Sequence, residues 1–229
     1  MNRFLPVCLM VLFLAGCATP DEDANDPFEP VNRHTQKGFL WLDDHVLHPV
    51  SNAYVENFPA GLRRAIHNVL ANLGLPAVIV NDLLQGNPER SAGALGRLVI
   101  NSTAGLGGLF DVASDAGLPP HEADFGQTFG VWGIGEGPYL FLPFFGPSNP
   151  RDAVGTALTI ALNPAQLLGG DEAAMMTGSE LAMTAIDRRA ERGRALDHMR
   201  AESFDFYTTL REAYRQNRAY RIERGREGQ

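Results

Sequence analysis

The eighty residues from 91 to 170 hold only eight charged side chains but 15 of the chain's 24 glycines. The charges are Arg97, Asp111, Asp115, Glu122, Asp124, Glu136, Arg151 and Asp152, half the density expected from the chain's 20% charged content. Between Phe125 and Pro150 the single charge is Glu136, inside the string GIGEGPYLFLPFF. A segment so poor in charge and rich in aromatics admits two readings. It is either the buried core of a globular domain or a surface laid against lipid. A bilayer-crossing helix needs about 20 apolar residues, and none is present. The nearest stretch, 153–170, is uncharged but interrupted by Thr156, Thr159, Asn163, Pro164 and Gln166. If the chain meets lipid, it therefore lies in or on one leaflet.

The amino terminus bears on that choice. Arg3, an apolar run from Phe4 to Leu14, and the small residues Ala15 and Gly16 have the architecture of a secretory signal peptide. Leu14-Ala15-Gly16-Cys17 resembles the bacterial lipobox, in which the thiol is lipidated and becomes the first residue of the mature chain. An ordinary signal peptide followed by a chance cysteine is the alternative. Cys8 falls in the removed segment, which leaves one thiol and no disulfide within the chain. At roughly 0.8 kcal/mol per buried methylene, three acyl chains on Cys17 hold the protein at the membrane. Ala18, where an Asp commonly signals inner-membrane retention, points to the outer membrane, periplasmic side. An anchored chain favours the lipid-facing reading of residues 91–170.

The expected organisation is a signal peptide at 1–16, lipidated Cys17 with an extended acidic tether to residue 30, a helical domain at 31–217 and a basic flexible tail at 218–229. Apolar spacing predicts helices over 32–47, stopped by Pro49, and over 60–73, stopped by Gly74. Pro76 and Pro88 are expected to open further helices, the first ending at Gly86. Gly133 to Gly137 reads as a tight hairpin, and a long helix follows from Glu172. Residues 1–186 hold 8 Lys and Arg against 19 Asp and Glu, whereas residues 187–229 hold 11 Arg against 8 acids. The acidic body argues against nucleic acid as a partner. The Arg-rich end either faces a partner or phosphate headgroups, or is a solvated helix laced with ion pairs.

No catalytic motif emerges. Ser179 lacks the glycine after it that a nucleophile elbow needs, and His121-Glu122 does not continue to a second zinc-ligating histidine. Gly133-Ile134-Gly135 lacks the Lys-Ser/Thr of a phosphate loop. Asp44, His45 and His48 are either a metal cluster or a polar helix end. Ser102, His121 and Asp124 are the one triad a lipid acyl hydrolase can be built from. No cofactor and no metal are expected, and the inventory points away from an enzyme.

Three strings carry a resemblance: DPFEPVNR at 26–33, PAVIVNDLLQGNP at 76–88 and FGQTFGVWGIGEGPYLFLPFFGPSNPRDAVG at 125–155. With the lipobox they resemble the MlaA/VacJ family of outer-membrane lipoproteins. The matching positions include Asp26, Pro27, Asn32, Arg33, Asn81, Gly86, Phe125, Gly126, Pro143, Gly146, Arg151 and Asp152. The resemblance implies a mainly α fold, a doughnut-like helical ring lying in the inner leaflet of the outer membrane. It also implies a non-enzymatic role, the removal of misplaced phospholipid through an amphipathic channel to a periplasmic carrier, in association with a trimeric porin. The glycine-rich hairpin implied to influence the channel is Gly133, Gly135 and Gly137, followed by Pro138 and Tyr139. A structural, porin-tethering lipoprotein is the main alternative. Glu136 and the Arg-rich C-terminal helix depart from the family pattern.

Overall fold

The computed structural model describes residues 25–228. The signal peptide, Cys17 and most of the tether lie outside the described residues. The fold is mainly helical. Helix α1 (Glu29–Leu42) runs through a π-helical turn (Asp43–Leu47) into α2 (His48–Asn57). Then come α3 (Ala60–Leu84), α4 (Pro88–Thr103), the short α5 (Val112–Asp115) and α6 (Phe125–Val131). Strands β1 (Leu140–Leu142) and β2 (Gly146–Ser148) pair antiparallel, with Phe141 opposite Pro147. Helix α7 (Pro150–Ala161), a 3₁₀ turn (Pro164–Leu168), α8 (Gly170–Glu202) and α9 (Phe206–Glu227) complete the chain. No described helix is long and apolar enough to cross a membrane.

Contacts between elements close on themselves. The π turn joins α1 to α2, and α2 packs on α8. Helix α8 touches α3, α3 touches α6, and α6 packs on α9. Helix α9 meets β2, and β1 returns to α1. The chain thus forms a closed circuit of elements. Its largest apolar cluster is small: Tyr139, Phe141 and Tyr207, with Phe39, Leu210 and Tyr214 packed around them.

Several sequence expectations are corrected. Pro49 does not stop a helix. The π turn, in which His48 N–H bonds Asp43 O, gives the carbonyls ahead of the proline a wider coil, so the helix continues without a clash. Gly74 and Pro76 lie inside the single 25-residue α3, where packing outweighs the proline's intrinsic cost of about 3 kcal/mol. Gly86 does terminate α3. At φ +78° it permits Asn87 N–H to bond Asp82 O (2.9 Å) and its own N–H to bond Leu83 O (3.0 Å), the double bond of a Schellman end. The glycine-rich run is not the hairpin. Residues 133–138 form an irregular loop, and the paired strands lie beyond it at 140–148. The long C-terminal helix is two helices, broken at Ser203–Asp205, where the Asp205 carboxylate caps the Tyr207 N–H at 3.1 Å. The tail expected at 218–229 is helical to Glu227, and Arg218 is buried. The ordered body begins before residue 31, because Asp26 is buried as well.

Candidate functional site

Polarity in this fold is inverted. Among the described residues, 23 polar or charged side chains are buried against ten hydrophobic ones, while 28 large hydrophobic side chains are exposed. The inversion follows helix faces. Helix α4 buries Ser91, Arg97 and Asn101 and exposes Leu95 and Val99. Helix α7 buries Arg151, Asp152 and Gly155, and its outward stripe is Val154, Leu158 and Leu162, one residue per turn. Helix α3 buries Asn72, Asn81 and Asp82 and exposes Leu73, Val80 and Leu83. Apolar stripes of this kind are stable against hydrocarbon or another protein and unfavourable against water.

Most of the buried polar groups bond one another, as burial requires, while Gln36 Nε2, Asn72 Oδ1 and Gln127 Oε1 are buried with no hydrogen-bond partner. Three networks dominate. At the first, Asn32 donates to the Asp26 carboxylate (2.8 Å) and to Tyr139 O (3.0 Å), and accepts from Phe141 N–H (2.9 Å). Tyr207 donates to Asp26, Arg211 donates to it at 3.2 Å, and the Arg33 guanidinium lies 4.3 Å over the Tyr207 ring. These contacts lock α1, β1 and α9 together. Burial, then Asp26, pushes the Tyr207 phenol far above its ordinary range, so it stays a donor.

At the second, Asn149 caps α7, its side chain accepting from Asp152 N–H (2.8 Å). The Asp152 carboxylate takes Arg151 (2.9 Å), Tyr214 and Arg218 (2.7 Å). Arg218 also grips Asp124 with two bonds of 2.7 Å, and Arg221 adds a third at 3.0 Å. Burial alone would raise the Asp124 carboxyl, but the Arg218 bonds and the charges of Arg218 and Arg221 outweigh it and hold it below the usual carboxylate range. At the third, Thr128 donates to Asn81 Oδ1 (2.6 Å), Gln85 donates to Thr128 (2.9 Å), and Gln127 donates to Arg221 O (2.8 Å).

The family-motif positions therefore sit in the framework. Asp26, Asn32, Arg33, Asn81, Arg151 and Asp152 are network members, and Pro27 lies in the turn that leads into α1. Phe125 and Gly126 begin α6. Pro143 and Gly146 shape the hairpin tip, where Gly146 takes φ +79°. The glycine-rich loop is different. Gly133 adopts φ +86° with open space where a side chain would sit, and Gly135 has open space at an ordinary φ. Gly137 (φ +71°) faces Pro150. Trp132 and Ile134 project from this loop, whereas Tyr139 is buried. Arg215 of α9 pairs with Glu136 of this loop at 3.2 Å. Gly133→Ala is expected to cost about 1 kcal/mol from φ strain, and Gly135→Ala close to nothing. Thermal melts of the two variants check this, and equal losses would contradict the loop geometry.

The structure does not assemble the alternative chemistry. Ser102 accepts from Asn72 (3.1 Å), His121 bonds Asp82 (2.7 Å), and Asp124 is held by arginines. Asp44 is taken by both nitrogens of Arg200 (2.7 and 3.1 Å), while His45 bonds Trp41 O and stacks on the Trp41 ring. Neither group forms a triad or a metal cluster. A different trio, His67, Asp187 and Glu191, does converge, as a polar link between α3 and α8 in which His67 Nδ1 lies 2.8 Å from the Asp187 carboxylate. Sequence reasoning missed Tyr207, Arg218 and Gln127 as framework residues, because their partners lie between 42 and 181 positions away.

These features define a class: a closed helical body with polar groups inside, apolar groups outside and no membrane-crossing helix among the described residues. The sequence matches the MlaA lipoprotein family over residues 24–221, and the chain belongs to that family. It is 34% identical to the intermembrane phospholipid transport system lipoprotein MlaA of Shigella flexneri, over 93% of this chain and 85% of that protein. It is 29% identical to the Haemophilus influenzae protein of the same name, over 98% and 92%. A solved chain described under "Structural basis for maintenance of bacterial outer membrane lipid asymmetry" superposes with a TM-score of 0.76 at 33% identity. It covers 86% of this chain and 98% of that one.

Proposed function

We propose that this protein is an outer-membrane lipoprotein, anchored through Cys17, that takes mislocalised phospholipid from the outer leaflet and passes it to a soluble periplasmic carrier. A trimeric porin is its neighbour in the membrane. The inverted polarity of the helices is the observation that carries the reading. A diacyl lipid has roughly 30 methylenes, so exposing its tails to water costs on the order of 24 kcal/mol. A protein that moves such a molecule must itself stand in hydrocarbon, shield the tails and keep a polar path for the head. Apolar stripes on α3, α4 and α7 suit the first task, and the closed circuit of elements with hydrogen-bonded groups inside suits the last. The relatives named as phospholipid transport lipoproteins support the same cargo.

Organic extraction of the detergent-purified protein, with mass spectrometry of the extract, tests this. Intact glycerophospholipid at near-stoichiometric amount is expected. Released fatty acid that disappears in Ser102→Ala would instead make the protein a hydrolase. Porin capture with no bound lipid would make it a structural tether. Cys17→Ala is expected to leave an unlipidated precursor and a cell with raised outer-leaflet phospholipid. A wild-type barrier in that strain would remove the anchor from the mechanism.

A further inference from the structure

An open pocket of about 490 Å³ lies between α1 and the hairpin tip. Its lining combines the polar His34 and Lys37 with the apolar Phe39, Leu42, Pro143 and Phe144. Lys37 is the single lysine of the chain. Neither Lys37 nor His34 has an ion-pair or hydrogen-bond partner among the described residues. The arginines of the buried networks behave otherwise: Arg33, Arg211 and Arg218 are all engaged with carboxylates. Phe144 is 77% exposed and takes φ +66°, a conformation that a bulky side chain rarely adopts. Backbone held in such a state clusters at ligand-contacting positions. One turn along α1 from Lys37, Trp41 is 61% exposed and stacked on His45. Tryptophan beside lysine is the pairing enriched where hydrocarbon gives way to headgroups.

We infer that this pocket seats the phosphodiester of a glycerophospholipid, with Lys37 as its counter-charge and Leu42 and Phe144 against the first acyl methylenes. The inference deepens the transport reading and rests on it. The volume lies in the range of small-molecule sites, roughly 300–1,000 Å³. It accommodates a head, glycerol and upper chain segments, while the rest of the tails leave through the open side. An unpaired cation facing an apolar wall fits an anion that carries hydrocarbon, which free phosphate does not.

The single lysine makes the test site-specific. The full lipoprotein in detergent is treated with an amine-reactive ester, and modification of Lys37 is followed by peptide mass spectrometry. Phosphatidylglycerol micelles are expected to slow modification about tenfold, the effect of one charge-assisted hydrogen bond. Diacylglycerol and inorganic phosphate should leave the rate unchanged. Lys37→Gln should retain phosphatidylglycerol about tenfold more weakly, and Lys37→Arg should recover most of the loss. If the wild type carries phosphatidylglycerol while Lys37 stays fully reactive, or Lys37→Gln retains lipid normally, this site falls and the transport reading stands. Protection by inorganic phosphate also overturns it. If the wild type carries no glycerophospholipid of any headgroup, both readings fall.

Discussion

Ending the chain at Asn217 is expected to lower the melting temperature by about 10 °C or more, although only twelve residues are lost. Those residues look dispensable in composition, but they hold the body shut. Arg218 ties Asp124 and Asp152, Arg221 ties Asp124, and backbone carbonyls at Arg221 and Gly225 accept from Gln127 (2.8 Å) and Asn87 (2.7 Å). Truncation strips buried Asp152 and half-buried Asp124 of an arginine and leaves the amides of buried Gln127 and half-buried Asn87 short of an acceptor. Removing one member of a buried ion pair costs about 3–5 kcal/mol, a large share of a total of about 5–15 kcal/mol. The loss carries a pH signature. The Asp124 carboxyl is held low when folded, so its contribution is complete above the ordinary carboxylate range and fades as pH falls through the lowered value. The gap in stability between full-length and shortened proteins should therefore be widest near neutrality and narrow below about pH 4. Circular-dichroism melts across that range decide the matter, and equal melting temperatures would make the last turns a tail after all.

Gly155→Val is the second large effect. A side chain at this position would put its first carbon 2.3 Å from Gly126 N and 2.8 Å from Gly126 Cα. The obstruction is backbone, so no rotamer relieves it. In turn a carbon at Gly126 would meet Arg218 Nη2 at 2.3 Å and Asp152 Oδ1 at 2.6 Å. The two glycines let α6 and α7 approach closely enough for one arginine to bridge both. Forcing the helices apart is expected to cost more than about 3 kcal/mol, beyond ordinary overpacking, and to break the ion network as well. Protease resistance of purified Gly155→Val should collapse. Gly178 in α8, with open space around it, is the control, and Gly178→Ala should be neutral or slightly stabilising. A Gly155→Val protein as resistant as the wild type would refute the close approach.

The mainly helical fold was legible in apolar periodicity and in the family resemblance, and the lack of a spanning helix among the described residues in the polar residues that interrupt 153–170. Gly86 and Pro88 were legible as punctuation, since each acts on its own backbone. Pro49 and Pro76 misled, because a π turn and a packed 25-residue helix accommodate what an isolated helix would not. The hairpin was placed one step too early. Glycine marks freedom to turn, but the pairing sits where Phe141 can enter the core beside Tyr207. The basic terminus was the hardest to read. Arginines spaced along a solvated helix and arginines aimed at acids 66 to 94 positions away look alike in one dimension, and only folding separates them.

The interior that Asp152, Asp124 and Arg218 share has a practical consequence for anyone lifting this molecule from its bilayer. Mild surfactants compete for grease, and the grease here is on the outside. Guanidinium salts compete for carboxylates, and those are on the inside. Solubilisation and unfolding are thus governed by separate chemistries, and the first can proceed without inviting the second.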